Sequence, residues 1–164
     1  DLHLSRGLGD VYKRQDRQFN IGVIKIPSFY INFEDAQKGV KDYKSVTRDV
    51  KRCIDSLKSL SVDGIIIDLR NNGGGSLQEA IDLTGLFIET GPVVQIKSSN
   101  GRIEIEKDFD KQIHYDGPLL VLNNSFTASS SEIFSGALKD YKRGLIVGEP
   151  TFGKGTVLFR IYLT

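Results

Sequence analysis

Three stretches of this sequence carry residue types and spacings that could do chemistry. In GEPTFGKGTV (148–157), Gly148 and Gly153-Lys154 stand at the spacing of a phosphate-cradling loop. Such a loop needs Ser or Thr after the lysine to reach Mg²⁺, and it opens a helix whose N–H groups face the anion. Here Gly155 follows, and TVLFRIYL is β-branched and aromatic, the pattern of a strand. Nucleotide binding is thus the weaker reading, and whether Lys154 takes a proton instead is the question the motif leaves open. In SFTASSSE (125–132), Ser129, Ser130 and Ser131 stand where a helix begins. Each suits a helix cap, and Ser129 with Glu132 has capping-box spacing. A serine at a helix start is also placed to attack a carbonyl, since the following N–H and the helix dipole stabilise the resulting oxyanion. The third stretch, NNGGG (71–75), offers backbone conformations closed to other residues and N–H groups that can approach negative charge. That charge is either a phosphate or the oxyanion of a tetrahedral acyl intermediate.

A serine nucleophile needs a base. The two histidines are His3 and His114, the first in a segment of odd composition and the second in a polar stretch that reads as surface. Triads built on histidine and His-rich metal sites are therefore disfavoured. Lysine can take the role where burial disfavours its charge, and Lys154, between glycines in an apolar stretch, is the candidate. Cys53 is the only cysteine, which excludes an intrachain disulfide and a thiolate metal cluster. Beside Val50, Ile54 and Leu57 it reads as a small buried hydrophobe.

The elements that must position these residues alternate between strand and helix. IGVIKIP (21–27) alternates apolar and polar residues and reads as a half-buried strand. The stretch SFYINFEDAQKGVKDYKS is mixed, with Phe29, Tyr30 and Phe33 expected to pack as core or lid. Residues 46–60 have apolar positions at helical spacing after the caps Ser45 and Thr47. VDGIIIDLR (62–70) and GPLLVLNN (117–124) are continuous apolar runs, the pattern of strands buried on both faces. Helices follow each, one from Ser76 with a capping box to Glu79, one from about Ser129 to Tyr141. Between them PVVQIK (92–97) and RIEIE (102–106) read as a hairpin turning at Asn100-Gly101, and GLIVGEP (144–150) is the last clear strand. The sum is an α/β domain with a largely parallel sheet flanked by helices, in which ligands gather beyond the carboxyl ends of the strands. The glycine and serine turns both lie there.

At 164 residues the chain is one domain's worth, and 22 Lys and Arg against 21 Asp and Glu argue for neither nucleic acid nor an anionic membrane as partner. No apolar run approaches the ~20 residues that span a bilayer. DLHLSRGLGDVYKRQ (1–15) has no period and resembles a non-native leader, so it is set apart from the fold.

IIIDLRNNGGG, SFTASSSEIFSGALKDY and GLIVGEPTFGKGTV, in that order, resemble the carboxyl-terminal processing proteases of family S41, with IGVIKIPSFY, DYKSVTRDV and EAIDLTGLFIETGPVVQ fitting its bacterial tail-specific subgroup. The resemblance covers about residues 18–157. It implies a crotonase-like or ClpP-like α/β core, a Ser/Lys dyad and no cofactor or metal. Carried over by register, Ser129 is the nucleophile and Lys154 the general base. The N–H groups of Gly75, of Gly74 as a further candidate, and of Ser130 are the oxyanion donors, and Asp140 is an acidic residue near the site. It also implies unfolded or tail-tagged polypeptide substrates, periplasmic residence and a lipoprotein adaptor as partner. Two features depart from the pattern. Leu158 stands where many members have a glutamine that orients the lysine, within a terminal segment (158–164) where the likeness fades. The PDZ domain that precedes the core in the family has no counterpart in this chain. The alternative from another class is an S41-like module that binds apolar ligands or peptides without cutting them.

Overall fold

The computed structural model describes residues 18–156. The leader 1–15 and the 158–164 segment with Leu158 lie outside the described residues. In chain order the elements are β1 (Ile21–Lys25), α1 (Phe33–Gln37), α2 (Val46–Ser59), β2 (Gly64–Asp68), α3 (Leu77–Gly85), β3 (Gly91–Lys97), β4 (Ile103–Asp108), β5 (Leu119–Asn123), α4 (Ser130–Asp140) and β6 (Leu145–Gly148). Local sequence explains most of their limits. The Ser45 side chain accepts the Arg48 N–H at the start of α2, and Ser76 accepts the Glu79 N–H at the start of α3. The β3–β4 hairpin turns through Ser98–Gly101, with Gly101 at φ +85°. The short α1 arises inside the mixed stretch, where Asn32 accepts the Asp35 N–H as a cap.

β1, β2, β5 and β6 form a parallel sheet in that spatial order, and β3–β4 is a separate antiparallel pair against α3 and α4. The order never reverses along the sheet. Crossovers of one hand that always step the same way lay every helix on the same face. That face carries Ile24, Ile65, Ile67, Leu119 and Val121, packed against Val50 and Ile54 of α2, Leu83 of α3, and Phe134 and Leu138 of α4. The opposite face is not buried, contrary to the reading of β2 and β5 as covered on both sides. Ile66, Leu120 and Leu122 are half-buried there, and Ile21, Val23, Leu145 and Val147 are exposed. Cys53 corrects a second expectation: it is exposed, at the edge of the α2 stripe, beside Val23 and Leu57.

The three aromatics of the mixed stretch take different fates. Phe29 is buried, Tyr30 is half-buried and donates to Asp49 Oδ2 (2.7 Å), and Phe33 is exposed. Phe29 and Phe87 flank Phe134 of α4, with ring centroids 6.2 and 5.8 Å away. Burying each ring is worth roughly 1.5–3 kcal/mol. The cluster seats the backbone beside the glycine turn onto the helix that follows the serine turn. His114 packs toward α2 rather than standing free, its Nε2 2.8 Å from Asp55 Oδ1.

Candidate active site

Ser129 ends the turn between β5 and α4 and sits at φ +59°, ψ −120°, a backbone conformation strained for any residue with a Cβ. A sharp strand-to-helix turn of this kind exposes a nucleophile at the carboxyl edge of a sheet. The Ser129 hydroxyl makes no cap hydrogen bond. The cap at this helix comes instead from Glu132, whose Oε2 accepts the Ser129 N–H at 2.7 Å. Sequence spacing pairs Ser129 with Glu132 as a capping box, and its carboxylate half is formed.

The glycine turn lies against this serine. A Cβ on Gly74 (φ +101°) would stand 2.7 Å from Ser129 Cβ and 3.0 Å from Ser130 N, so only glycine allows the two turns to close. Gly75 (φ +148°) is pressed on the Phe29 backbone in the same way, with a Cβ meeting Phe29 O at 2.3 Å. Buried Asn72 connects the turns: its main-chain oxygen accepts the Ala128 N–H (3.0 Å) and the Ser131 hydroxyl (3.1 Å). Asn71 and Asn124 clasp at the surface, the Asn71 N–H and the Asn124 side-chain amide each donating to the other residue's side-chain oxygen at 2.9 Å. The Ser130 hydroxyl donates to Gly75 O (3.0 Å).

Among the described residues, the N–H groups of Gly75 and Ser130 donate to no protein acceptor. Gly74 differs from the carried-over assignment, because its N–H is committed to Asn72 Oδ1 at 2.9 Å. Two unpaired N–H groups therefore remain beside Ser129, one of them at the N-terminus of α4 where the helix dipole is positive.

The lysine loop is tied to the serine turn through Glu132. Its carboxylate accepts the Thr151 hydroxyl (2.7 Å) and the N–H groups of Gly153 (2.7 Å) and Lys154 (2.9 Å), in addition to that of Ser129. Burial by itself would raise this carboxyl, but the hydrogen bonds from Thr151, Ser129, Gly153 and Lys154 outweigh it and hold Glu132 below the usual carboxylate range. The Phe152 N–H adds a bond to Thr127 O (2.9 Å). The Lys154 backbone is thus held at the serine turn, while the residue itself is exposed rather than buried as the sequence led us to expect.

Asp140 is not brought to this place. It closes the 11-residue α4 at the end opposite Ser129, about 16 Å along the axis, and is exposed. The structure adds two residues that sequence reasoning did not assign, Asn72 and Thr151. Glu132 was visible only as a capping partner, and Asn72 gave no signal beyond its place in a turn. No group of three or more His, Cys, Asp or Glu is arranged to hold a metal among the described residues. No helix there is long and apolar enough to cross a membrane.

The family model for peptidase family S41 matches residues 20–163. The chain belongs to peptidase family S41. Among curated proteins, the tail-specific protease of Haemophilus influenzae is 48% identical over 138 residues, covering 84% of this chain and 18% of that protein. The carboxy-terminal processing protease CtpA of Bacillus subtilis is 37% identical over 139 residues, 84% of this chain and 27% of the relative. Among solved structures, a photosystem II D1 C-terminal processing protease superposes with a TM-score of 0.69 at 35% identity, over 84% of this chain and 32% of that one. This S41 chain thus spans about a quarter of the length of the curated relatives it matches, and it shares its α/β fold with the solved processing protease.

Proposed function

We propose that this chain is the catalytic core of an S41 serine endopeptidase that cuts polypeptides by way of an acyl-enzyme, with Ser129 as nucleophile and Lys154 as general base. The observation that carries the reading is the strained Ser129 backbone beside the unpaired N–H groups of Gly75 and Ser130. Ser129 Oγ attacks the peptide carbonyl and its proton passes to the Lys154 amine. The tetrahedral oxyanion is held by the two N–H groups, the C–N bond breaks, and the leaving amine takes the proton from Lys154. Water then attacks the ester with the same lysine receiving its proton, and Lys154 passes that proton to Ser129 Oγ as the acyl–oxygen bond breaks and the carboxyl product leaves. Glu132 keeps serine turn and lysine loop in one register, and a bound polypeptide lying over the exposed Lys154 would exclude water from the pair. Asp140 has no part in this scheme.

Relatives that carry the names tail-specific and carboxyl-terminal processing protease support substrates recognised by their C-terminal tails, and a bacterial relative is in keeping with periplasmic action. The test sets this chain into the Haemophilus influenzae protein in place of its matching segment and follows cleavage of an unfolded polypeptide with an apolar tail. Ser129→Ala should lower the rate by about 10⁴-fold or more. Equal cleavage by both forms would put the nucleophile elsewhere. A folded chimera that binds the polypeptide without cutting it would favour the module that binds apolar peptides only.

A further inference from the structure

We infer that Asn72 is the positioning residue of the oxyanion site: its side chain holds the glycine turn in the one arrangement that aims the Gly75 N–H at the reacting carbonyl. The inference rests on the protease reading above and concerns how its donor is held.

A trans peptide points its C=O and N–H in opposite directions. The Gly74 C=O accepts the Phe29 N–H at 2.9 Å, so the Gly75 N–H of the same peptide faces away from Phe29. That leaves the preceding peptide to be fixed, and Asn72 fixes it. Its Oδ1 accepts the Gly74 N–H (2.9 Å), while its Nδ2 donates to Ile26 O just beyond β1 (2.8 Å). The partners settle the orientation of the amide, since an N–H can only donate and a carbonyl can only accept. The residue is 0% exposed, so water cannot replace either bond. Three glycines in a row would otherwise sample many conformations, and a donor that must first be found costs rate at the moment of reaction. The main chain of Asn72 carries the other half of the alignment, because its oxygen holds Ala128 and Ser131 on either side of the nucleophile turn. One buried side chain thus sets the donor while its own backbone sets the turn that bears the nucleophile.

No other common side chain of this size both donates and accepts along these two directions. Leucine fills the space and leaves the Gly74 N–H and Ile26 C=O without partners. An ionised aspartate still accepts the Gly74 N–H, but it opposes the Ile26 oxygen and adds negative charge beside a developing oxyanion. Once protonated it can do both again, with its O–H on Ile26 and its C=O on Gly74.

The experiment uses the chimera with wild-type, Asn72→Leu and Asn72→Asp forms, each assayed well below its melting temperature. At pH 8 both variants should lose about 100-fold in kcat with KM within about threefold of wild type. A peptide aldehyde, which forms a tetrahedral adduct with the nucleophile, should weaken in parallel with kcat. The ratio of Asn72→Asp to wild-type activity should rise as pH falls from 8 to 5. If Asn72→Leu does not fold, Asn72→Asp carries the test, folded at pH 5 and read kinetically after a jump to pH 8. A folded Asn72→Asp with kcat and aldehyde affinity unchanged at pH 8 would overturn the inference while leaving the protease reading intact. So would variants whose only defect is a lower melting temperature. Absence of Ser129-dependent cleavage in the wild-type chimera would instead overturn the protease reading, and this inference with it.

Discussion

Glu132 shows how one side chain couples two parts of a site. Both of its oxygens are engaged, Oε2 with the N–H groups of Ser129 and Lys154, Oε1 with Thr151 and Gly153. A glutamine keeps one acceptor oxygen and turns an NH₂ toward donors, so Glu132→Gln loses half of the clamp. Cleavage in the chimera should fall about 10- to 100-fold, because small errors in placing nucleophile and base are costly. The sign of the pH effect follows from the direction of the Glu132 shift. A carboxyl held below its ordinary value of 4.5 contributes stability that is complete above that value and is lost as pH falls through the lower folded one. Thermal melts from pH 7 to pH 3 should show the gap between wild type and Glu132→Gln closing below about pH 4.5. A gap independent of pH would remove the carboxylate from this role.

At the scale of elements, the site is a contact between two strand-to-helix turns, and its tolerance is set by backbone rather than side chains. Gly75→Ala would press a Cβ to 2.3 Å from Phe29 O at φ +148°, where neither backbone can yield. It should cost more than about 2 kcal/mol, read as a drop in melting temperature, together with most of the activity. Gly73 stands two residues before that contact, and a Cβ there meets nothing within 4 Å. Gly73→Ala should therefore leave stability within about 0.5 kcal/mol of wild type. Similar losses from both substitutions would mean that general flexibility of the triple glycine, rather than close approach at Gly75, is what the turn requires.

For the whole molecule, the sheet order has a consequence visible on its surface. All the helices that cross between its strands lie on one side, so the other presents exposed Ile21 and Val23 of β1 and exposed Leu145 and Val147 of β6 around half-buried Ile66, Leu120 and Leu122. Apolar surface of this kind drives association when it meets water. The 164-residue chain should bind an apolar dye and self-associate at micromolar concentration. Val23→Lys with Leu145→Lys should raise the monomer fraction in sedimentation without lowering the melting temperature. A wild-type chain that stays monomeric and dye-free would contradict the exposed face.

Much of this architecture could be read from local pattern, because capping, strand alternation and hairpin chemistry act between residues close in sequence. The caps at Ser45 and Ser76, the Asn100-Gly101 turn and the approximate limits of β2, β5 and α4 are of this sort. The Gly-rich, serine and lysine motifs named the chemistry, since residue type sets what a group can donate, accept or attack. Other outcomes depended on contacts across the chain. Continuous apolar runs read alike whether one face or both are covered, and only the unreversed strand order left one side of β2 and β5 half-covered. Cys53 looked buried because the strip beside it is apolar, yet it lies exposed at the edge of α2. Asp140 shares a motif with the serines, but a helix carries sequence neighbours apart at 1.5 Å per residue. What sequence alone determined here is which groups are chemically competent and which elements hold them. Tertiary structure decided which competent groups meet: hydrogen bonds over 46 residues from Asn72 to Ile26, over 59 from Ser131 to Asn72 and over 22 from Lys154 to Glu132 have no local signature.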